Sequence, residues 1–442
     1  MGLLGPRLVL AGTASGVGKT TIATGLMAAF GRRGHSVGSA KVGPDFIDPG
    51  YHGAATGRPG RNLDAWMCGP DAMAPLAARA GAGCDLLVVE GVMGLFDGAA
   101  DAEPASTADI ACLLDAPVIL VVDCRSMSQS IAALVRGYRD FNSAVQVAGV
   151  ILNQVGSDHH EVILREALSA IDVPVYGSLR RDDALVWRDR HLGLVPVIEH
   201  ADTVRASLER LAALIERSCD LDALFTLAVR APARVVAPLP TPVHVASVRI
   251  AVASGPAFSF CYPDNLESLA AAGAELIPFD PRREALPDGV QGLLAGGGFP
   301  EIFAEELSEN VPLLSELNQR VAAGLVVWAE CGGLLWLCES LDGRPLGAMV
   351  PATAVMTKRL HLGYRTACTQ TASPLGPVGT TFRGHEFHYS TVEPPGDALQ
   401  FSSRFSNRSD GFATPTLLAT YLHTHLATRP DLAEAFVRSV AG

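Results

Sequence analysis

Two stretches of this chain carry residue types at spacings that can do chemistry. The first is Gly12-Thr-Ala-Ser-Gly-Val-Gly-Lys19-Thr20-Thr21. It follows the apolar run Leu8 to Ala11 and leads straight into Ile22, Leu26 and Phe30 at i, i+4 and i+8, which reads as a strand, a glycine-rich turn and a helix. Backbone N–H groups in such a turn face phosphate oxygens, and the helix N-terminus adds positive potential. Lys19 would reach the β- and γ-phosphates, and the Thr20 hydroxyl suits Mg²⁺. The strict pattern GxxxxGK[ST] requires glycine at 13, where this chain has Thr13, so the loop is a variant. The expected nucleotide contacts are Thr13, Ser15, Gly16, Val17, Gly18, Lys19, Thr20 and Thr21.

The second stretch is Leu325-Val-Val-Trp-Ala-Glu-Cys331-Gly332-Gly333-Leu-Leu-Trp-Leu-Cys338. An apolar strand runs into Cys331, two glycines permit a tight turn, and Leu334, Leu337, Cys338 and Leu341 fall on one face of the helix expected next. A thiol at a strand-to-helix turn is exposed to the helix N-terminus, which favours its thiolate, so Cys331 is the candidate nucleophile and Cys338 points into the core. A thiol nucleophile needs a base, which Tyr421-Leu-His423-Thr-His425 offers near the end of the chain. His423 and His425 are both catalytic candidates, and the third, orienting member stays open. The bland alternative is a strand with two same-face histidines at a wet edge.

Acidic residues cluster after two further apolar runs, in Lys41-Val-Gly-Pro-Asp45-Phe-Ile-Asp48-Pro-Gly-Tyr-His52 and in Val89-Glu90-Gly-Val-Met-Gly-Leu-Phe-Asp97-Gly98. Residues just beyond the carboxyl ends of parallel strands gather on one edge of the sheet, beside a phosphate loop, and carboxylates there can hold a metal. As neighbours of Pro and Gly, Asp45, Asp48 and Asp97 also fit plain turn roles.

The elements that must position these groups are legible as well. Buried-strand runs recur at Leu8–Ala11, Ser36–Val42, Asp85–Val89, Pro117–Val122, Val147–Leu152 and Val173–Tyr176 with helical patterns between several of them, so a parallel sheet is expected. The stretch Met1 to Leu10 is read as the first strand. Prolines at 232, 238, 240 and 242 then interrupt the pattern, after which strands at Arg249–Ala253, Glu275–Pro278, Gly292–Ala295 and Leu325–Trp328 and a helix at Asn265–Ala272 make a second α/β domain. The expected division is a domain over 1–230, a linker over 231–246 and a domain over 247–442.

Of the 442 residues, 48% are hydrophobic and 18% charged, with a net charge of −12, which excludes a disordered chain and opposes a nucleic-acid role. The longest apolar runs are strand-length, so no membrane span is expected. Nine scattered cysteines, without a CxxC pair or an export signal, point to reduced thiols in the cytoplasm and give no support to structural zinc.

The variant phosphate loop, "KVGPDFIDPGYH" and "VEGVMGLFDG" resemble the synthetase domain of the cobyrinate/hydrogenobyrinate a,c-diamide synthases of cobalamin biosynthesis, itself similar to dethiobiotin synthetase; "ILNQV" at 151–155 and "RHLGLVP" at 190–196 extend the likeness. The second half resembles a class I glutamine amidotransferase of the cobyric acid synthase type. The implied fold is a P-loop-type parallel-sheet domain followed by an amidotransferase-like α/β domain. By this resemblance Thr20, Asp45 and Glu90 hold Mg²⁺, Asn153 reads the adenine of ATP, and Lys41, Asp48 and Asp97 face the second substrate. The turn at Gly296-Gly297-Gly298-Phe-Pro-Glu301 resembles the family's oxyanion loop, with Gly297 or Gly298 supplying one N–H and Gly332 the other. Where ordinary class I amidotransferases place the triad glutamate, this chain has His425. The segment Gly384-His-Glu-Phe-His388-Tyr-Ser390 is of family type but is not HExxH.

The implied reaction is ATP- and L-glutamine-dependent amidation of the a and c acetates of a corrinoid polycarboxylate through acyl phosphates. Near alternatives are the synthases that make nickel sirohydrochlorin a,c-diamide or cobyric acid. A rival of another class is a partitioning-type nucleotide-switch ATPase, which shares the loop and forms homodimers but leaves the Cys331 turn without a purpose. A homodimer is compatible with either.

Overall fold

A computed structural model describes residues 2–99, 104–181, 201–404 and 406–442; the "RHLGLVP" segment at 190–196 lies outside the described residues. The chain divides into two units, Met1–Leu239 and Pro240–Gly442.

Seven strands of the first unit share one sheet, in the spatial order Arg61–Leu63, Val37–Val42, Leu86–Glu90, Arg7–Gly12, Val118–Asp123, Val147–Val155, Val175–Arg180. Every neighbouring pair is parallel. Arg7–Gly12, Val37–Val42 and Leu86–Glu90 are buried along their whole length, which explains why they read as unbroken apolar runs and not as alternating ones. The N-terminal stretch is not one strand. Gly2–Leu4 pairs antiparallel with Arg234–Val236, and the sheet strand starts afresh at Arg7, because Pro6 between them cannot donate to a ladder. Arg7 is wholly buried there, and its guanidinium donates to the carbonyls of Leu114, Gly5, Asp115 and Pro232.

In the second unit six strands lie in the order Ala274–Phe279, Val248–Ala253, Gly292–Ala295, Val326–Glu330, Leu417–Thr420, Phe412–Thr414, parallel except for the last pair. Successive residues of Val326–Glu330 face opposite sides. Val326 and Trp328 join a core with Ile250, Leu294 and Phe436, while Val327 and Ala329 join another with Leu293, Leu334 and Leu335. A second sheet is built on the antiparallel pair Val350–Thr369 and Thr381–Glu393, with Cys338–Leu341 on one flank and His423–Thr424 on the other.

The helix expected from Leu334 to Leu341 is shorter than its spacing suggested. It spans Gly332–Leu337, after which Cys338–Leu341 is a strand parallel to the start of Val350–Thr369. Cys338 and Leu341 are buried either way, so a short apolar pattern cannot separate the two conformations, and pairing with Val350–Thr369 decides. Among the described residues no helix is long and apolar enough to cross a membrane.

Candidate functional site

Strand register assembles the first site. Leu10 pairs with Glu90, and Glu90 pairs on its other side with Lys41, so three adjacent strands deliver the phosphate loop, Glu90 and Lys41 to one edge of the sheet. Gly18 precedes the helix Lys19–Arg32 at φ 95°, a conformation that favours glycine, and a Cβ there would lie 2.3 Å from the Asn153 amide nitrogen. That amide donates to the Val17 carbonyl at 2.9 Å, so Asn153 braces the loop. Lys19 is buried, with Nζ donating to the Ala14 carbonyl at 2.9 Å.

Around the Thr20 hydroxyl the acidic residues converge. It donates to Glu90 Oε1 at 2.6 Å and lies 3.3 Å from Asp48 Oδ2. Lys41 Nζ is 2.7 Å from the same Asp48 oxygen and 2.9 Å from Glu90 Oε1, and His52 Nε2 is 2.7 Å from Glu90 Oε2. Burial would push the Glu90 carboxyl up, but Lys41, His52 and Thr20 outweigh it and hold Glu90 well below the ordinary carboxylate range. Asp45 is pushed up to about 8 by burial, reinforced by Asp48, against the pull of Lys41. Asp48 thus stands with Glu90 at the Thr20 hydroxyl. Asp97 is exposed and accepts the Gly94 N–H at 2.9 Å, closing a turn whose Leu95 N–H donates to the Gly12 carbonyl.

The second site forms where Val326–Glu330 ends. Cys331 has φ 49° and ψ −100°, a conformation that costs a non-glycine residue of order 1–3 kcal/mol and points to a constraint at a reactive position. Its N–H donates to the Thr420 carbonyl at 2.8 Å, and Sγ lies 3.9 Å from the Phe387 carbonyl. His423 hydrogen-bonds Cys331 with one side of its ring and turns Nδ1 towards Glu330 Oε2, 3.7 Å away. Burial would lower His423; the charge and hydrogen bond of Cys331, followed by those of Glu330, outweigh it and push His423 up to about 10. His425 packs its ring on Tyr262 at 4.6 Å, and its Nδ1 accepts the Ala427 N–H at 3.3 Å.

The glycine turn closes over this pair. A Cβ on Gly297 would lie 2.5 Å from His423 Cε1, so only glycine lets the imidazole sit where it does. The Gly297 N–H donates to the Phe260 carbonyl, whereas the Gly298 nitrogen would be 3.0 Å from a Cβ on Gly332, directly beside the elbow.

Two family models divide the chain between them. The CobQ/CobB/MinD/ParA nucleotide binding domain matches residues 8–194, and the CobB/CobQ-like glutamine amidotransferase domain matches residues 249–431. The chain is 48% identical over 470 residues to a hydrogenobyrinate a,c-diamide synthase of Streptomyces coelicolor, covering 98% of this chain and 97% of that one. The chain belongs to the hydrogenobyrinate/cobyrinate a,c-diamide synthase family. The protein of that first name from Mycobacterium tuberculosis is 44% identical, and the cobyrinate a,c-diamide synthase of Dehalococcoides mccartyi is 42% identical, each with 98% of both chains covered.

Within this member of the family the structure draws in residues to which the sequence assigned no role. His52 lies four residues after Asp48 in the helix Ile47–Thr56, so both project from one face towards Glu90 and Lys41; that i, i+4 spacing was the available signal. His385 sits opposite His423 in the pairing of Thr381–Glu393 with His423–Thr424, and burial, followed by the charge of His423, lowers it to about 3. Glu330 carried no signal beyond its place before Cys331.

Proposed function

We propose that the chain converts the a and c acetate carboxylates of hydrogenobyrinate or cobyrinate to amides, with ATP as activator and glutamine as nitrogen donor. The observation that carries this reading is the near full-length likeness to synthases of those names across both functional halves. A chain with net charge −12 must meet an anionic substrate through local positive groups, because its overall field opposes the encounter.

At the thiol site, the Cys331 sulfur attacks the glutamine amide carbon and the His423 imidazolium protonates the departing ammonia, leaving a glutamyl thioester that water cleaves to glutamate. The Gly298 and Gly332 N–H groups receive the oxyanion of each tetrahedral intermediate. At the nucleotide site, Lys19 and the loop N–H groups hold the γ-phosphate while a substrate carboxylate oxygen attacks its phosphorus, the β–γ P–O bond breaks and ADP leaves with the bridging oxygen, which gives an acyl phosphate. Ammonia then attacks the acyl carbon, phosphate leaves with the electron pair of the C–O bond that joined it to that carbon, and the nitrogen gives up one proton, which leaves the amide. Repetition at the second acetate completes the diamide.

The hydroxyl of Thr20 and the carboxylates of Glu90 and Asp48 are hard oxygen donors around one point, a set that fits Mg²⁺, with Asp45 close by. When bound with ATP, Mg²⁺ neutralises charge on the β- and γ-phosphates. Lys41 balances part of the carboxylate charge, and Asn153 stands beside the loop where it can also meet the base. Asp97 faces the substrate from the turn tied to Gly12.

Incubation with ATP, Mg²⁺ and glutamine, using hydrogenobyrinate and cobyrinate in parallel, tests the function. A doubly amidated product is expected from at least one of them, and amidation of neither would sink the reading. Asp48→Asn tests the metal assignment. Diamide formation should fall by about tenfold at limiting Mg²⁺ and recover as Mg²⁺ is raised, in line with losing one charged ligand from a small set. A loss that added Mg²⁺ leaves untouched would instead assign Asp48 to the substrate.

A further inference from the structure

Cys331 and His423 form a nucleophile and a base, but a histidine in that role also needs a group that fixes which ring nitrogen carries the proton. His425, two residues on, has its ring on Tyr262 and its Nδ1 on the Ala427 N–H. A second acid of this unit, Glu386, is bound by Arg365 and Arg408. Glu330 is differently placed. It ends the strand Val326–Glu330, its side chain is 7% exposed and that of His423 2%, and Oε2 is 3.7 Å from His423 Nδ1. The other oxygen, Oε1, accepts the Thr424 N–H at 3.1 Å, which anchors the carboxylate to the residue next to His423.

We infer that Glu330 is the positioning residue of the glutaminase site, holding the Nδ1 proton of His423 so that Nε2 serves Cys331. The triad acid then precedes the nucleophile in sequence and does not follow the histidine. The two side chains of the elbow, Glu330 and Cys331, sit on either side of one imidazole. At 3.7 Å the contact is an ion pair between two buried groups, close enough for the carboxylate to favour the protonated Nδ1. The remaining titratable neighbours do not supply the same function. His385 is held neutral across the strand pair from His423, and Cys261, which faces Glu330, is pushed up to about 12 by burial and by that carboxylate. This inference rests on the glutaminase reading of Cys331 and His423, which Cys331→Ser tests separately.

The deciding variant is Glu330→Gln, which keeps the volume and an oxygen for the Thr424 N–H but removes the charge. Glutaminase kcat should drop about 10²-fold with KM for glutamine within about twofold, and the alkaline limb of the kcat profile should move to lower pH as the imidazolium loses its partner. A purely structural Glu330 would leave both unmoved, and an unchanged rate and profile would overturn the inference. Should the variant unfold, the unmutated protein decides. With Cys331 alkylated and histidine labelled with ¹⁵N, the neutral His423 ring must carry its proton on Nδ1; a proton on Nε2 would refute the assignment.

Discussion

Replacing Cys331 with Ser is expected to abolish glutamine-dependent amidation while synthesis from free ammonia continues. The serine hydroxyl cannot be ionised by an imidazole at this site as the thiol is, so glutaminase turnover should fall by at least about 10⁴-fold, the scale on which loss of a nucleophile acts. The chemistry at Lys19 needs only ammonia, whatever its source. The measurement is diamide formation with glutamine and with ammonium salt at mildly alkaline pH, where more of the free base is present. His423→Ala should behave in the same way. If a folded Cys331 variant also failed with ammonia, the separation into a nitrogen-releasing site and an amide-forming site would be wrong.

Lys19→Ala is expected to remove synthesis from both nitrogen sources. Lys19 is the cation carried by the phosphate loop itself, placed to meet the negative charge that a loose transition state develops on the departing β–γ oxygen, so its loss should cost about 10³-fold or more. Glu90→Gln should act through the metal and the fold together. It leaves the buried Lys41 with Asp48 and the Gly91 carbonyl and His52 with an amide partner, and breaking one arm of a buried charge network costs about 3–5 kcal/mol. The check is Mg²⁺ and ATP titration beside an unfolding curve for each variant. Undiminished amidation by both at ordinary ATP and Mg²⁺ would remove the nucleotide site from the mechanism.

Sequence and structure divide the information unevenly. The phosphate loop was legible because it is local: an apolar run, glycines where backbone must turn, Lys19 and Thr20 in register, and a helical period all lie between Leu8 and Phe30. The elbow at Cys331 was legible for the same reason. The parallel sheets followed from unbroken apolar runs, since only strands covered on both faces need them. The helix after Cys331 is shorter than its apolar spacing predicts because that spacing is also satisfied by a buried strand, and the partner that decides, Val350–Thr369, is not encoded in those residues.

The amino-acid sequence by itself determined which chemical groups this protein carries and the two turns that present them, because a turn is a property of consecutive residues. Only the tertiary structure decided how the acids are used. Asp48 meets Thr20 and Lys41 because the helix Ile47–Thr56 is set against the strand ends, and Asp97 closes a turn on the phosphate loop. His423 meets Glu330 because the short strand His423–Thr424 returns to the end of Val326–Glu330 from far along the chain. A carboxylate's role depends on the charges and donors within a few ångströms of it, and across strands those neighbours are chosen by register and crossover, which residue spacing alone does not contain.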